Sequence, residues 1–399
     1  MNLLFITGGQ YPDGGAASNR QMAYAKGLVE LNHDVTFILL SAQKSSDAFF
    51  VHDNIKFIST LSPDEKSAKN NIAKIYSTYQ AILSARKKLA KLQSESKIDA
   101  VILLDAHVWI LFPFLRHCKK KAIKVFHERT EYPFVVERRG ILGSIHNKIY
   151  LSFILPKFDG LYVISLALKK YFNEITKNKI PVSVINMVVD PERFNAEEKG
   201  EYQKTRYLAY CGNMDIEKDG IDILIRSFGQ ALNQFDMDKT LQLMLIGNNS
   251  NKVLQQELER VIDESKCSGN VIFTGLVSRQ KIPGYLLKAD ALALARTVSK
   301  QAEGGFPTKL GEYLTTGKPV IVTDVGEIGL FLKDGENAFV AKADSIESFS
   351  EKIIQVFNHY PEALKVGLNG KNLVYNEFNY LTQARNLAGF IESVIYPKI

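Results

Sequence analysis

Two runs of apolar strand, glycine turn and amphipathic helix, one on each side of residue 200, constrain the fold of this chain more than any other feature. In the first run, residues 3–7 read as a buried strand and Gly8, Gly9, Gly14 and Gly15 as a loop. Residues 18–31 follow as a helix, with Met22, Ala25, Leu28 and Val29 at helical spacing, and residues 35–40 as the next buried strand. A strand, a crossover helix and a second buried strand predict a parallel sheet. The pattern continues with helices over 68–93, 111–118 and 145–158, and strands over 100–104, 123–127, 160–164 and 182–185. It restarts at 207–211 and runs through strands at 241–246, 271–274, 291–295 and 320–323, with helices at 221–232, 252–267, 282–288, 308–315 and 345–359.

A chain of 399 residues exceeds what one hydrophobic core holds, so two domains are expected. The polar segment 197–204 has no apolar period and is the expected linker. The fold class predicted is α/β, with two Rossmann-like domains facing each other across a cleft. Ligands in such sheets bind beyond the carboxyl ends of the strands, and the candidate loops all follow strands.

No apolar run approaches the roughly 20 residues of a bilayer span. The opening residues turn polar too soon for a secretion signal, and Cys118, Cys211 and Cys267 lack any metal spacing. A cytoplasmic protein with reduced thiols is expected. The net charge of +7 is unevenly placed. Residues 1–180 hold 26 Lys and Arg against 15 Asp and Glu, a balance of +11; residues 181–399 hold 24 against 28, a balance of −4. The cations are interspersed with long apolar residues, as in Lys119-Lys120-Lys121-Ala122-Ile123 and Arg138-Arg139-Gly140-Ile141-Leu142. That mixture suits the face of an anionic membrane better than nucleic acid.

The most chemically specific stretch runs from Glu303 to Glu312, Glu-Gly-Gly-Phe-Pro-Thr-Lys-Leu-Gly-Glu, and on through Gly317-Lys318-Pro319. It sets two carboxylates around a flexible glycine turn and then starts a helix near Thr308. Free N–H groups at a helix start beside a lysine form a phosphate site, and a carboxylate one turn inside accepts hydrogen bonds from sugar hydroxyls. Cys211-Gly212-Asn213 follows a strand and Lys218 precedes a helix: glycine lets a ligand approach the backbone, and the lysine reaches a phosphate as a point charge. Gly14-Gly15 at a helix start makes a weaker anion loop, and no acidic residue ends the second strand, which argues against a nicotinamide dinucleotide. His127-Glu128-Arg129-Thr130-Glu131 puts five polar residues at the end of a strand, where His127 can exchange hydrogen bonds and Arg129 can hold an anion. Asp190 reads as a helix cap before Pro191. Asp236-Met237-Asp238 reads as a solvated turn, so no metal site is expected.

Together these residues resemble the retaining glycosyltransferases of the GT-B fold, family four, of the type that builds bacterial surface polysaccharides. The resemblance rests on Gly14-Gly15, His127, residues 186–190, Gly212 with Lys218, and the Glu303–Glu312 block. It implies an acceptor domain over residues 1–195, a nucleotide-sugar domain over 196–380, and a final helix within 381–399 that returns to the first domain. It further implies that Lys218 holds the donor diphosphate, Glu312 the ribose, and the backbone at Thr308, Lys309 and Leu310 the phosphate or sugar. Gly15, Gly212 and Asn213 would complete the donor side, His127 and Glu303 would stand with Lys218 at the reacting centre, and Arg129 and Glu131 would meet the acceptor. Two departures stand out. Asn213 occupies the place of the family's arginine, and Glu303 and Glu312 have eight residues between them where the family has seven, so that Gly304 aligns with the first glutamate.

The expected function is transfer of a sugar, with retention, from a nucleotide sugar (UDP favoured over GDP) to a glycan or lipid-linked glycan acceptor at the inner membrane face. No cofactor is expected. Two alternatives remain open at this point: a nucleotide-sugar epimerase on the same scaffold, and a catalytically degenerate partner subunit.

Overall fold

The computed structural model describes residues 1–41, 49–61, 71–136, 140–195, 205–234, 237–248 and 251–397. The expected linker at 197–204, the Arg138-Arg139 pair and Asp236 lie outside the described residues.

Contacts divide the chain into two units, Met1–Val188 with Tyr380–Ile399, and Val189–Asn379. The first unit is built on β1 (Asn2–Thr7), β2 (Asp34–Leu39), β3 (Phe49–His52), β4 (Ile55–Ser59), β5 (Ala100–Leu103), β6 (Lys124–Arg129), β7 (Gly160–Val163) and β8 (Val182–Val184). They form one sheet in the order β3-β4-β2-β1-β5-β6-β7-β8. Every pairing is parallel except β3 with β4. That hairpin escapes the sequence pattern because β3 is mostly exposed and lacks an apolar run; its turn is Asp53-Asn54, both at positive φ. Strand β1 is buried along almost its whole length, as a parallel strand covered on both faces must be. Helix Tyr380–Ile395 belongs to this unit. It packs along helix Ala16–Glu30, with the Tyr380 hydroxyl donating to the Glu30 carboxylate at 2.9 Å.

The second unit holds β9 (Tyr207–Cys211), β10 (Gln242–Ile246), β11 (Val271–Gly275), β12 (Ala291–Leu294), β13 (Val320–Thr323) and β14 (Phe339–Ala341). The order is β11-β10-β9-β12-β13-β14, with all pairings parallel. The chain enters this unit at Val189, before the boundary expected at 195. The Val189 N–H donates to the Phe378 carbonyl at 3.0 Å, which anchors the segment to its far end. Asp190 caps the short Pro191–Phe194 turn by accepting from the Glu192 N–H at 3.0 Å.

Candidate functional site

In the Val189–Asn379 unit the candidate residues gather past the ends of β9 and β10. Strand β9 delivers Cys211 and then Gly212. A Cβ at Gly212 would run into the Lys309 ammonium and the Tyr210 hydroxyl, and a Cβ at Gly247, just after β10, would run into the Gly212 carbonyl. Both positions therefore require glycine, and Gly247 is a site residue the sequence pattern does not single out. Tyr313 holds the end of β9: its hydroxyl accepts from the Cys211 N–H at 2.6 Å.

Helix Thr308–Thr315 starts beside this loop, after Pro307. Thr308 and Lys309, as its first residues, have N–H groups with no acceptor inside the helix. Leu310 differs from expectation. Its N–H is already spent on the Pro307 carbonyl at 3.0 Å, and its side chain is fully buried. Lys309 contributes more than backbone. Its Nζ lies 2.7 Å from Asp219 Oδ2 and donates to the Tyr210 hydroxyl at 2.8 Å. Burial pushes the Lys309 ammonium below its usual range, and the charge of Lys218 acts in the same direction, while Asp219 opposes both.

Lys218 thus stands near the start of that helix. It sits in the short helix Ile216–Asp219, whose Asp215 cap accepts from the Lys218 N–H at 2.8 Å. Its side chain is partly buried and forms no ion pair among the described residues. Asn213 is exposed, and its carbonyl accepts from the Tyr210 hydroxyl at 2.6 Å. Glu312 is not free. Arg193 donates to its Oε1 at 2.6 Å, with both side chains about one-fifth exposed. The sequence gives no sign of this pairing, because the partners are 119 positions apart.

Glu303 departs from the expected flexible glycine turn. It lies on the five-residue helix Lys300–Gly304, half-exposed and paired with Lys300 at 2.6 Å, while Gly304 and Gly305 are buried at the helix end. Cys211 has its thiol pushed up to about 12, chiefly by burial, so it is not a nucleophile.

In the first unit, helix Ala16–Glu30 begins directly after Gly15. Gly15 has open space where a Cβ would go. Gly14 is the position that demands glycine, since a Cβ there would strike the Gln10 carbonyl and Ser18. The His127–Arg129 segment is not a polar tail beyond the strand. It forms the last half of β6, and all three side chains are buried. His127 stacks on Phe158 at 4.6 Å, and its Nδ1 bonds the Leu103 carbonyl at 2.7 Å. Burial first, and then the charge of Arg129, pushes its imidazole down to about 3, so it is neutral at physiological pH. Glu128 is the anchor of a buried network: Arg20 donates to it at 2.9 Å and Gln21 at 2.8 Å. Arg20 also donates to the carbonyls of Ile185 (2.6 Å) and Asn186. Arg129, only 4% exposed, lies over the Tyr150 ring at 5.2 Å, and its Nε and Nη2 have no hydrogen-bond partner among the described residues. A guanidinium in that state suits an anion. Glu131 follows, half-buried.

Residues 205–359 match the family model described as glycosyl transferases group 1. The uncharacterized glycosyltransferase MJ1069 of Methanocaldococcus jannaschii is 22% identical over 293 residues, 71% of each chain. Among solved structures, sucrose-phosphate synthase from Thermosynechococcus elongatus superposes over 100% of both chains with a TM-score of 0.75 at 13% identity. Anabaena HepE, in complex with UDP and glucose, covers 98% of this chain and 100% of its own, with a TM-score of 0.67 at 13% identity. The fold is accordingly the α/β fold of two parallel-sheet, Rossmann-like domains seen in GT-B glycosyltransferase structures, with a group 1 glycosyl transferase match across the second unit.

Proposed function

We propose that the chain is a retaining glycosyltransferase. It moves a sugar from a nucleotide sugar, UDP-linked in preference to GDP-linked, to a hydroxyl of a lipid-linked glycan at the cytoplasmic membrane face, in surface-polysaccharide synthesis. The observation that carries this reading is the unpaired charge of Lys218 beside the Gly212 loop, close to the start of helix Thr308–Thr315, in the part of the chain that matches the group 1 model. The binding of UDP and glucose by HepE, which shares the fold, supports the choice of donor.

As the bond between the anomeric carbon and the diphosphate breaks, negative charge grows on the leaving oxygen. Lys218 and the N–H groups of Thr308 and Lys309 stabilise it electrostatically, so the reading needs no divalent cation. Glu312 takes the ribose hydroxyls, with Arg193 fixing one carboxylate oxygen and leaving the other to accept. Three carboxylates of this unit are held by cations: Asp219 by Lys309, Glu312 by Arg193, Glu303 by Lys300. That engagement disfavours a carboxylate nucleophile and favours attack by the acceptor on the face the diphosphate leaves, with Glu303 near the sugar. On the acceptor side, Arg129 suits a phosphate of the lipid carrier, Glu131 is the adjacent polar contact, and His127 contributes as a neutral hydrogen-bonding group.

The test is incubation of the full chain with UDP-sugars labelled in the sugar, together with lipid-linked glycan. Label should pass to the acceptor with the donor's anomeric configuration, read by nuclear magnetic resonance. An inverted product refutes retention. An epimerised donor without acceptor makes the protein an epimerase. UDP binding without turnover makes it a non-catalytic partner subunit.

A further inference from the structure

One surface helix of the first unit turns its apolar side to solvent. The chain forms helix Ile141–Ile149, continues through the π-helical turn Tyr150–Ile154, and closes with Leu155–Lys157. At helical spacing Ile141 (80% exposed), Ile145 (49%), Ile149 (39%) and Phe153 (65%) face out, with Leu142 (82%) beside the first of them. Tyr150, Ile154 and Leu155 take the inward side. A water-soluble domain normally turns such a stripe inward.

The neighbouring helix Val108–Lys120 extends the same surface. Its Val108 N–H donates to His146 Nε2 at 3.0 Å, and the His107 ring lies 6.0 Å from that of His146. It exposes Trp109 and Phe112 on its first turns and Arg116, Lys119 and Lys120 on its last. Exposed apolar side chains on two touching helices of one unit mark an interaction surface.

We infer that this face is an interfacial anchor, lying in the boundary between headgroups and acyl chains of an anionic bilayer. The charge pattern selects the occupant. Residues 108–121 and 140–157 carry Arg116, Lys120, Lys121, Lys148 and Lys157, with Lys119 already paired to Asp159 at 2.8 Å, and no Asp or Glu of their own. Cations flanking an apolar stripe complement an anionic lipid surface. The same cations oppose a second copy of the chain, because a self-paired face sets like charges against each other. Among the described residues no helix is long and apolar enough to cross a membrane. Electrostatic attraction alone vanishes in salt, whereas apolar insertion persists. The anchor therefore retains part of its binding at high ionic strength.

The anchor is separate from the transfer reaction, and its test does not use the donor. Trp109 is the sole tryptophan, so its emission reports this face alone. The full chain is titrated with vesicles of phosphatidylcholine, with and without phosphatidylglycerol, at low and high salt. On anionic vesicles the emission should shift to the blue and be quenched by lipids brominated on their acyl chains, with part of the binding surviving high salt. Ile141→Ser with Leu142→Ser, at two strongly exposed positions, should weaken partitioning at least about tenfold while circular dichroism stays unchanged. If that pair fails to fold, Phe153→Ser gives the same reading. Binding without acyl-chain quenching, or binding abolished by salt, overturns insertion. A blue shift without lipid that grows with protein concentration, with a doubled mass in sedimentation, overturns the lipid assignment in favour of a second copy. Failure to bind vesicles overturns the proposal outright.

Discussion

Two lysines meet at the candidate donor loop, and their environments predict opposite consequences of removing them. Lys309 is spent on structure. Its ammonium lies 2.7 Å from Asp219, whose side chain is only 5% exposed. Lys309→Met leaves that carboxylate buried without a counter-charge, which costs about 3–5 kcal/mol. With a urea dependence of about 2 kcal/mol per molar, the unfolding midpoint of the second unit should fall by about 2 M. Adding Asp219→Leu removes the stranded charge, and replacing a whole buried pair by apolar groups is close to neutral, so most of the loss should be recovered. Lys218 is partly buried and has no ion-pair partner among the described residues. Lys218→Ala should change stability by no more than about 0.5 kcal/mol, yet weaken UDP and UDP-sugar binding by about 1.5–3 kcal/mol. Urea unfolding followed by circular dichroism, with calorimetry on UDP, reads both quantities. The reasoning is refuted if Lys309→Met is as stable as the parent, if the double variant is no better than the single, or if Lys218→Ala binds UDP unchanged.

Glu312→Gln keeps the shape but removes the charge from the group assigned to the ribose; UDP affinity should drop roughly tenfold, and an unchanged calorimetric titration assigns Glu312 to Arg193 alone. Glu303→Ala should leave stability nearly unchanged, since an exposed pair such as Lys300–Glu303 is worth about 0–1 kcal/mol; turnover of UDP-sugar should fall with UDP affinity intact, and unaltered turnover makes Glu303 a surface charge. His127 is predicted to shape the acid limb of stability. Its folded pKa of about 3 lies below the unfolded 6.5, so between those values the unfolded chain binds the extra proton and stability falls as pH falls. Comparing urea midpoints at pH 7, 6 and 5, the parent should lose about 2 kcal/mol more than His127→Asn across that range; equal losses would mean that His127 titrates in the folded protein as it does in the unfolded chain.

The strand and helix alternation was legible because parallel strands covered on both faces are near-continuous apolar runs, and β1 and β9 show it plainly. The hairpin of β3 and β4 was not, because an exposed edge strand needs no apolar period. The loop at Gly212 could be read from the sequence, since glycine followed by a lysine is a local signal. What Lys309 and Glu312 touch could not be read, because Asp219 and Arg193 are brought to them by the sheet from about a hundred positions away. His127 shows a different limit. A polar run after a strand reads as an exposed loop, but β6 extends through it and buries His127, Glu128 and Arg129. The helix after Gly140 shows a third. Periodicity identifies an amphipathic helix and says nothing about which side faces water, and here the apolar side does.

The central claim is that the second unit binds the nucleotide part of a sugar donor through Lys218 and the helix beginning at Thr308. The most direct measurement is thermal and calorimetric titration of the full chain with a panel of nucleoside diphosphates. The account predicts that UDP binds, that at about 100 times its dissociation constant it stabilises the protein by roughly 2.7 kcal/mol, and that Lys218→Ala loses most of this effect. A panel in which no nucleoside diphosphate shifts the transition, or in which the parent and Lys218→Ala respond alike, would contradict it.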